Sequence, residues 1–162
     1  MIGLDAVTRP LEPGDAARLT RMFSRLSPET VYRRFFTSMP VLDSRILRAL
    51  TSVDHVQHEA LVVAVGDEIV ALASYHRHKD DPAVADIAVL IEDGWQHHGL
   101  GRLLTRRLTR LARERGVEQF HADVLADNAP AVGLVRRMAR TAQAKFESGE
   151  LVFDLPLVAP AA

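Results

Sequence analysis

The chain has 162 residues, 48% of them hydrophobic and 25% charged, which is the size and make-up of one globular domain with a full core. Its 20 basic and 21 acidic side chains leave a formal net charge of -1, so no broad positive field points to nucleic acid or to an anionic membrane. Cysteine is absent, which excludes disulfides, thiolate metal sites, a cysteine nucleophile and an acyl-cysteine intermediate.

No stretch approaches the roughly eighteen apolar residues of a membrane span, and Met1 to Asp5 lacks the charged start and apolar core of a signal peptide. The expectation is a cytoplasmic protein with no membrane and no nucleic-acid partner. Residues 1–156 read as a single domain, and 157–162 as a Pro/Ala-rich tail that frays.

Ala6 to Pro10 reads as a first strand. Pro13 and Asp15 suit a helix start, and Ala16, Leu19, Met22, Phe23 and Leu26 fall on one helical face. Ser27 is a good N-cap with Pro28 at the first helical position, opening a helix that carries Val31, Tyr32, Phe35 and Phe36 inward until Met39-Pro40 stops it. Asp43 caps a short helix with Ile46, Leu47 and Leu50 on its apolar side.

Leu61 to Val65 and Ile69 to Tyr75 are strand-like runs around the turn Gly66-Asp67-Glu68, an antiparallel hairpin. A second hairpin turns at Lys79 to Pro82 and leads into the apolar, β-branched run Val84 to Ile91, which Glu92-Asp93-Gly94 breaks. Leu100, Leu103, Leu104, Leu108 and Leu111 then recur at helical spacing up to about Arg115, with Gly116 as the stop. Gln119 to Val124 alternates as a strand, Ala129 to Met138 reads as a helix, and Thr141 to Glu147 pairs with Glu150 to Leu155 around Ser148-Gly149. Early hairpins, then strand-helix-strand-helix and a closing hairpin, describe an α+β domain with one mixed sheet.

The chemistry concentrates between Trp95 and Leu104, where a short loop opens directly into a helix. Gly99 and Gly101 can adopt backbone angles closed to other residues and lack a Cβ, so an anion can come close to the chain. Unpaired amides and the positive end of the helix dipole favour a phosphate there. No Gly-Lys-Ser/Thr follows, and the third glycine of a dinucleotide fingerprint is missing, so the two better-known phosphate loops fit badly.

Gln96-His97-His98-Gly99-Leu100-Gly101 does resemble the Gln/Arg-x-x-Gly-x-Gly/Ala signature of the acetyl-CoA-dependent N-acetyltransferases of the GNAT superfamily. The resemblance takes in the preceding strand Ala85 to Ile91, the following Asp123 to Asn128, and the element order over nearly the whole chain. Within the superfamily, Leu26 to Phe36 is similar to a segment of bacterial protein lysine acetyltransferases of the Pat type.

That resemblance implies a three-layer fold: a mixed, mostly antiparallel sheet of about seven strands, splayed between the fourth and fifth, with helices on both faces. It also implies acetyl-CoA as cosubstrate and an amine acceptor, either a protein lysine or a small molecule, in a monomer or homodimer without a metal. By the same resemblance the amides of Gln96, His97, His98, Gly99, Leu100, Gly101 and Arg102 hold the pyrophosphate. Backbone groups near Val89, Leu90 and Ile91 meet the pantetheine and the thioester oxygen, and Asn128 lies against the pantetheine.

An amine is mostly protonated at neutral pH, with a reference pKa of roughly 10.4, so attack on a thioester needs a base or a water path. Asp86 matches the position where many GNAT enzymes carry a glutamate, one methylene longer, and period two puts it on one face with Ala88 and Leu90. An acid near a strand end that simply meets water is the competing account of Asp86. Glu92 is a second candidate base, though ending the strand before Asp93-Gly94 also explains it.

The position of the family's general-acid tyrosine, counted from Asn128, falls on Val135, and the usual Gly-Phe beyond it is replaced by Ala139-Arg140. Tyr32, Tyr75 and solvent are the substitutes. These departures keep open an alternative class, a coenzyme A-binding sensor or interaction domain with weak or no catalysis. Of the basic side chains on the helix after the loop, Arg102 stands in the first turn, within reach of phosphate; the others read as a solvated face. The seven histidines form no pattern completed by carboxylates or cysteines, so no metal site is expected.

Overall fold

The computed structural model describes residues 5–36, 42–140 and 142–157. Its strands are β1 (Ala6–Pro10), β2 (His58–Val65), β3 (Glu68–Arg77), β4 (Val84–Ile91), β5 (Gln119–Leu125), β6 (Ala144–Glu147) and β7 (Glu150–Pro156). Its helices are α1 (Ala16–Ser24), α2 (Pro28–Phe35), α3 (Ser44–Thr51), α4 (Leu100–Glu114) and α5 (Ala129–Met138). The expected stop at Met39-Pro40, the strand start at Thr141 and the tail beyond Leu157 lie outside the described residues.

Local chemistry sets most boundaries. The Ser27 hydroxyl accepts a hydrogen bond from the Thr30 amide at 3.1 Å, and the Asp43 carboxylate accepts from the Arg45 amide at 2.6 Å, so both predicted caps are in place. Strand β2 starts three residues before the apolar run does. The Asp54 carboxylate gathers the amides of Val56, Gln57 and His58 at 2.8–2.9 Å and turns the chain straight into the sheet. Gly66, at φ 59°, makes the two-residue β2–β3 turn that Val65↔Glu68 pairing requires.

Helix α2 differs from expectation on one face. Tyr32 is 48% exposed rather than packed inward, while Val31 is buried and Phe35 rests on the Phe23 ring with centroids 6.2 Å apart. Phe36 leaves the helix in the left-handed region at φ 59°, which ends α2 one residue earlier than its apolar pattern suggests.

The seven strands form one sheet in the order β1-β2-β3-β4-β5-β7-β6, antiparallel except for the pair β4–β5. One face carries Leu61, Val63, Ala73, Phe120 and Phe153 under Leu100, Leu104 and Leu108 of α4, with Val135 of α5. The other carries Ala60, Val62, Leu72 and Leu90 under Leu19 and Met22 of α1 and Leu50 of α3. Alternation along each strand thus feeds two cores, one per face.

The pairing of β4 with β5 is short. Only Val84↔Gln119, Ala85↔Phe120 and Asp86↔His121 are in register. Beyond them β4 stays paired with β3 up to Ile91↔Ala71, and β5 stays paired with β7 up to Leu125↔Glu150. The expected splay is therefore present, and it leaves two facing strand edges, Ile87 to Ile91 and Ala122 to Leu125, without each other.

Candidate active site

The loop after β4 is a single 3₁₀ turn, Asp93–Trp95, followed by Gln96, His97 and His98. His97 at φ 65° and Gly99 at φ 82° turn the chain into α4, and Gly99 is the helix N-cap. Among the described residues, the amides of His98, Gly99, Leu100, Gly101 and Arg102 have no protein acceptor; the first helical bond leaving this turn runs from the Leu103 amide to the Gly99 carbonyl at 3.0 Å. A row of free donors at the positive end of a fifteen-residue helix suits an anion.

The two glycines serve different needs. A Cβ on Gly99 would meet nothing within 4 Å, so its requirement is the left-handed backbone alone. A Cβ on Gly101 would come within 3.2 Å of Leu134 Cδ2 and 3.3 Å of Ile91 Cδ1. Its missing side chain lets α4 sit close to β4 and α5, a packing role rather than the direct phosphate approach inferred from sequence.

This corner opens into a cleft of about 350 Å³ along the free end of β4, closed on its far side by α5. The cleft gathers Val89, Leu90, Ile91, Gln96, His97, Gly99, Leu100, Gly101, Arg102 and Asn128 from the predicted set; His98, Asp86 and Glu92 stand outside its lining. Asn128 is nearly buried and caps α5, its Oδ1 accepting from the Ala131 amide at 3.3 Å. Thus the capping role and the place beside the cleft belong to one side chain.

A second cleft runs along α4, lined by Gly99, Arg102, Leu103, Arg106, Arg107 and Arg110. Helical spacing lines these guanidinium groups along the side that begins at the open amides. Of the arginines read from sequence as a solvated face, Arg106, Arg107 and Arg110 are exposed and also wall a cationic groove, whereas Arg115 pairs with the buried Glu59 carboxylate.

Helix α2 is fastened to the same corner by Asp93. Its carboxylate accepts from the Ser27 amide at 2.9 Å, the Ser27 hydroxyl at 2.6 Å and the Thr30 hydroxyl at 3.0 Å. Burial opposes the charge on Asp93, but the Ser27 and Thr30 donors outweigh it and hold its pKa below the ordinary carboxylate value. Gln96 adds a tie, its Nε2 donating to the Ile91 carbonyl at 3.0 Å and the Thr30 hydroxyl at 3.3 Å. As a result Thr30, Arg33 and Arg34 of α2 also line the cleft, with Arg137 of α5. Thr30, Arg33 and Arg34 belong to the Leu26–Phe36 segment singled out in the sequence, whereas no motif marks Arg137; the docking of α2 and α5 brings all four to the cleft.

Asp86 sits at the apex of the splay, in the last paired step of β4 with β5. Its side chain is 58% exposed, and Oδ1 lies 2.8 Å from His78 Nε2, which donates when that nitrogen carries the proton. The register sets Asp86 in a row across the sheet, His58↔His76↔Asp86↔His121↔Asp154. His58 and His76 stack with centroids 3.7 Å apart, and burial lowers both pKa values. Burial also opposes charge on His121, yet its hydrogen bond to Asp154 at 3.1 Å and the nearby Asp123 and Asp86 carboxylates raise its pKa.

Glu92 is nearly buried and engaged by the Arg25 guanidinium, which also reaches Glu68 at 3.0 Å. That pairing fixes the end of β4 to α1. Val135 is in the core, Tyr75 is fully buried against Phe120, and Tyr32 faces outward. No tyrosine lines the cleft. Among the described residues, no group of three or more histidine, aspartate or glutamate side chains is arranged to hold a metal ion, and no helix is long and apolar enough to cross a membrane.

A splayed parallel strand pair opening onto a glycine loop and a helix N-terminus is a recognisable combination. The family model described as Acetyltransferase (GNAT) family matches residues 19–139, and the chain belongs to that family. It is similar to the acetyltransferase Pat of Mycolicibacterium smegmatis, 34% identical over 122 residues that cover 74% of this chain and 36% of that one. The acetyltransferase PA5475 of Pseudomonas aeruginosa is 29% identical over 124 residues, 74% of this chain and 66% of its own. The chain thus spans about a third of one of these curated relatives and just under two thirds of the other. Among solved structures, the GNAT domain of S. lividans PAT superposes with a TM-score of 0.85 at 29% identity, covering 93% of this chain and 90% of that one.

Proposed function

We propose that the chain transfers an acetyl group from acetyl-CoA to a primary amine, on a protein lysine or a small molecule, by direct attack within a ternary complex. The observation that carries this reading is the splay itself: the free edge of β4 from Ile87 to Ile91 runs straight into the open amides of the α4 N-terminus. The fit is chemical as well as geometric, since the cleft lining holds arginines and no aspartate or glutamate.

Acetyl-CoA supplies a thioester whose acyl carbon accepts the amine nitrogen while the carbon–sulfur bond breaks and a thiolate leaves. The open amides from His98 to Arg102 hold the pyrophosphate, with Arg102 and the groove behind it neutralising the remaining phosphate charge; the Gln96 amide, included from sequence, instead donates to the Asp93 carbonyl at 3.3 Å. The unpaired edge at Val89, Leu90 and Ile91 offers strand-like hydrogen bonds to an amide-bearing arm and a donor to the thioester oxygen.

Asp86 takes the proton that the attacking amine must lose. Oδ1 is engaged by His78, so the acceptor is Oδ2, and the exposure of the pair passes the proton on to solvent. Because Asp86 stands outside the cleft lining, a water molecule bridges it to the amine. With Val135 in the core and no tyrosine in the cleft, the thiolate is protonated from solvent.

Thiol release with acetyl-CoA and a panel of amines and lysine peptides tests the proposal. Turnover above the uncatalysed rate is expected, and Asp86→Ala should lower kcat by about 100-fold or more with acetyl-CoA affinity unchanged. The lack of a tyrosine in the cleft favours one second reading, a coenzyme A-binding domain without efficient chemistry. Tight binding of acetyl-CoA with no turnover on any acceptor would establish that reading instead.

A further inference from the structure

Four arginines line the main cleft, and one of them is unlike the rest. Arg102 and Arg137 are exposed to solvent, and Arg33 is paired with Glu29 at 2.9 Å. Arg34 is half-buried, and among the described residues its guanidinium has no hydrogen-bond or carboxylate partner; its one close neighbour of note is the Phe35 ring, 4.8 Å away. The stretches outside the described residues contain no aspartate or glutamate side chain that could serve it.

An unpaired guanidinium withdrawn from water is costly. Burial lowers the Arg34 pKa, and Arg34 is near enough to His76 to lower that pKa as well. His76 is the β3 partner of Asp86, which puts Arg34 within electrostatic reach of the strand step at the splay apex. The phosphate-binding corner at Gly99 is served separately, by open amides and by Arg102, Arg106, Arg107 and Arg110.

We propose that Arg34 recognises a carboxylate carried by the amine acceptor, so that the preferred acceptor is an amine with an acidic group beside it. The assignment rests on the acetyl-transfer reading above and names its substrate class. The planar fork of the guanidinium matches a carboxylate in two parallel hydrogen bonds, and the cleft offers no internal acid to compete for it. Two sources share this chemistry, a free α-amino acid and an acidic residue next to an acceptor lysine.

Matched pairs of acceptors test it: lysine peptides of equal length with Glu or Gln beside the lysine, and an α-amino acid against its carboxamide. For at least one pair, kcat/KM should be about 10-fold or more higher for the carboxylate member. The pair that shows the gain identifies the source. Arg34→Gln should bring that ratio close to one, and Arg34→Lys should retain part of it, with melting temperatures showing that both variants fold.

Equal kcat/KM within both pairs overturns the assignment. So does a gain that appears only when the donor acyl group, rather than the acceptor, bears a terminal carboxylate. Calorimetric titration of the Glu-Lys peptide and of the α-amino acid into coenzyme A-saturated protein gives a readout free of turnover. If no acceptor is acetylated, the acetyl-transfer reading fails, and binding of either ligand that Arg34→Gln abolishes still upholds the carboxylate site. Absence of binding by both removes it.

Discussion

The loop glycines show how one motif can meet two separate physical demands. Gly99→Ala places a Cβ in open space but at φ 82°, where an L-residue is strained by about 1–2 kcal/mol. Gly101→Ala keeps a helical backbone and instead pushes on Ile91 and Leu134, which both line the cleft. The expected outcome is a lowered melting temperature for Gly99→Ala, and for Gly101→Ala a smaller thermal change with a several-fold weaker acetyl-CoA affinity by calorimetry. Unchanged affinity in Gly101→Ala would mean that the side chains give way without narrowing the cleft.

Among elements, the β1–α1 junction and the docking of α2 both rest on single carboxylates. Asp15 is fully buried, takes two hydrogen bonds of 2.8 Å from Arg9 and one of 3.2 Å from Arg18, and its pKa is lowered from 3.8 to about 2. The Arg9 hydrogen bond is the largest cause, burial opposes it, and the Glu12 amide adds to it. A depressed carboxylate stabilises the fold above its unfolded pKa, so this contribution, about 2 kcal/mol, is complete above roughly pH 4 and lost as pH falls toward 2. Asp15→Asn should lower denaturant stability at pH 7 by that order and flatten the acid limb over the same window.

Asp93 gives the corresponding test for α2. Its lowered pKa keeps the Ser27–Thr30 clamp charged at neutral pH and weakens it only as pH falls below the ordinary carboxylate range. Asp93→Ala should speed amide hydrogen exchange across 28–35 and raise KM for the amine, because Thr30, Arg33 and Arg34 lose their fixed place at the cleft. Exchange at wild-type rates would show that packing of Val31 and Phe35 holds the helix unaided.

For the whole molecule, a sheet paired across its middle by three residue steps is held together mainly by the helices packed over it. A ligand filling the seam should therefore stiffen both halves. Acetyl-CoA at 100 times its dissociation constant adds about 2.7 kcal/mol to stability, whereas ATP and NAD, whose loops this chain lacks, should leave melting unchanged. Equal shifts with ATP would make the anion site unselective.

Nearly every element, the mixed sheet and the loop at Gln96 to Gly101 were legible in the sequence, because caps, turn glycines and apolar periodicity are local signals read over a few residues. The place of α2 was not, since Ser27, Thr30 and Asp93 are joined across more than sixty positions. The same limit hid the row from His58 to Asp154, which strand register alone assembles, and the use of Glu92 as a partner for Arg25. Local patterning determines which segments form strands and helices. Which charged groups meet, and which one faces the cleft with no partner among the described residues, is decided only when distant elements pack and exclude water between them.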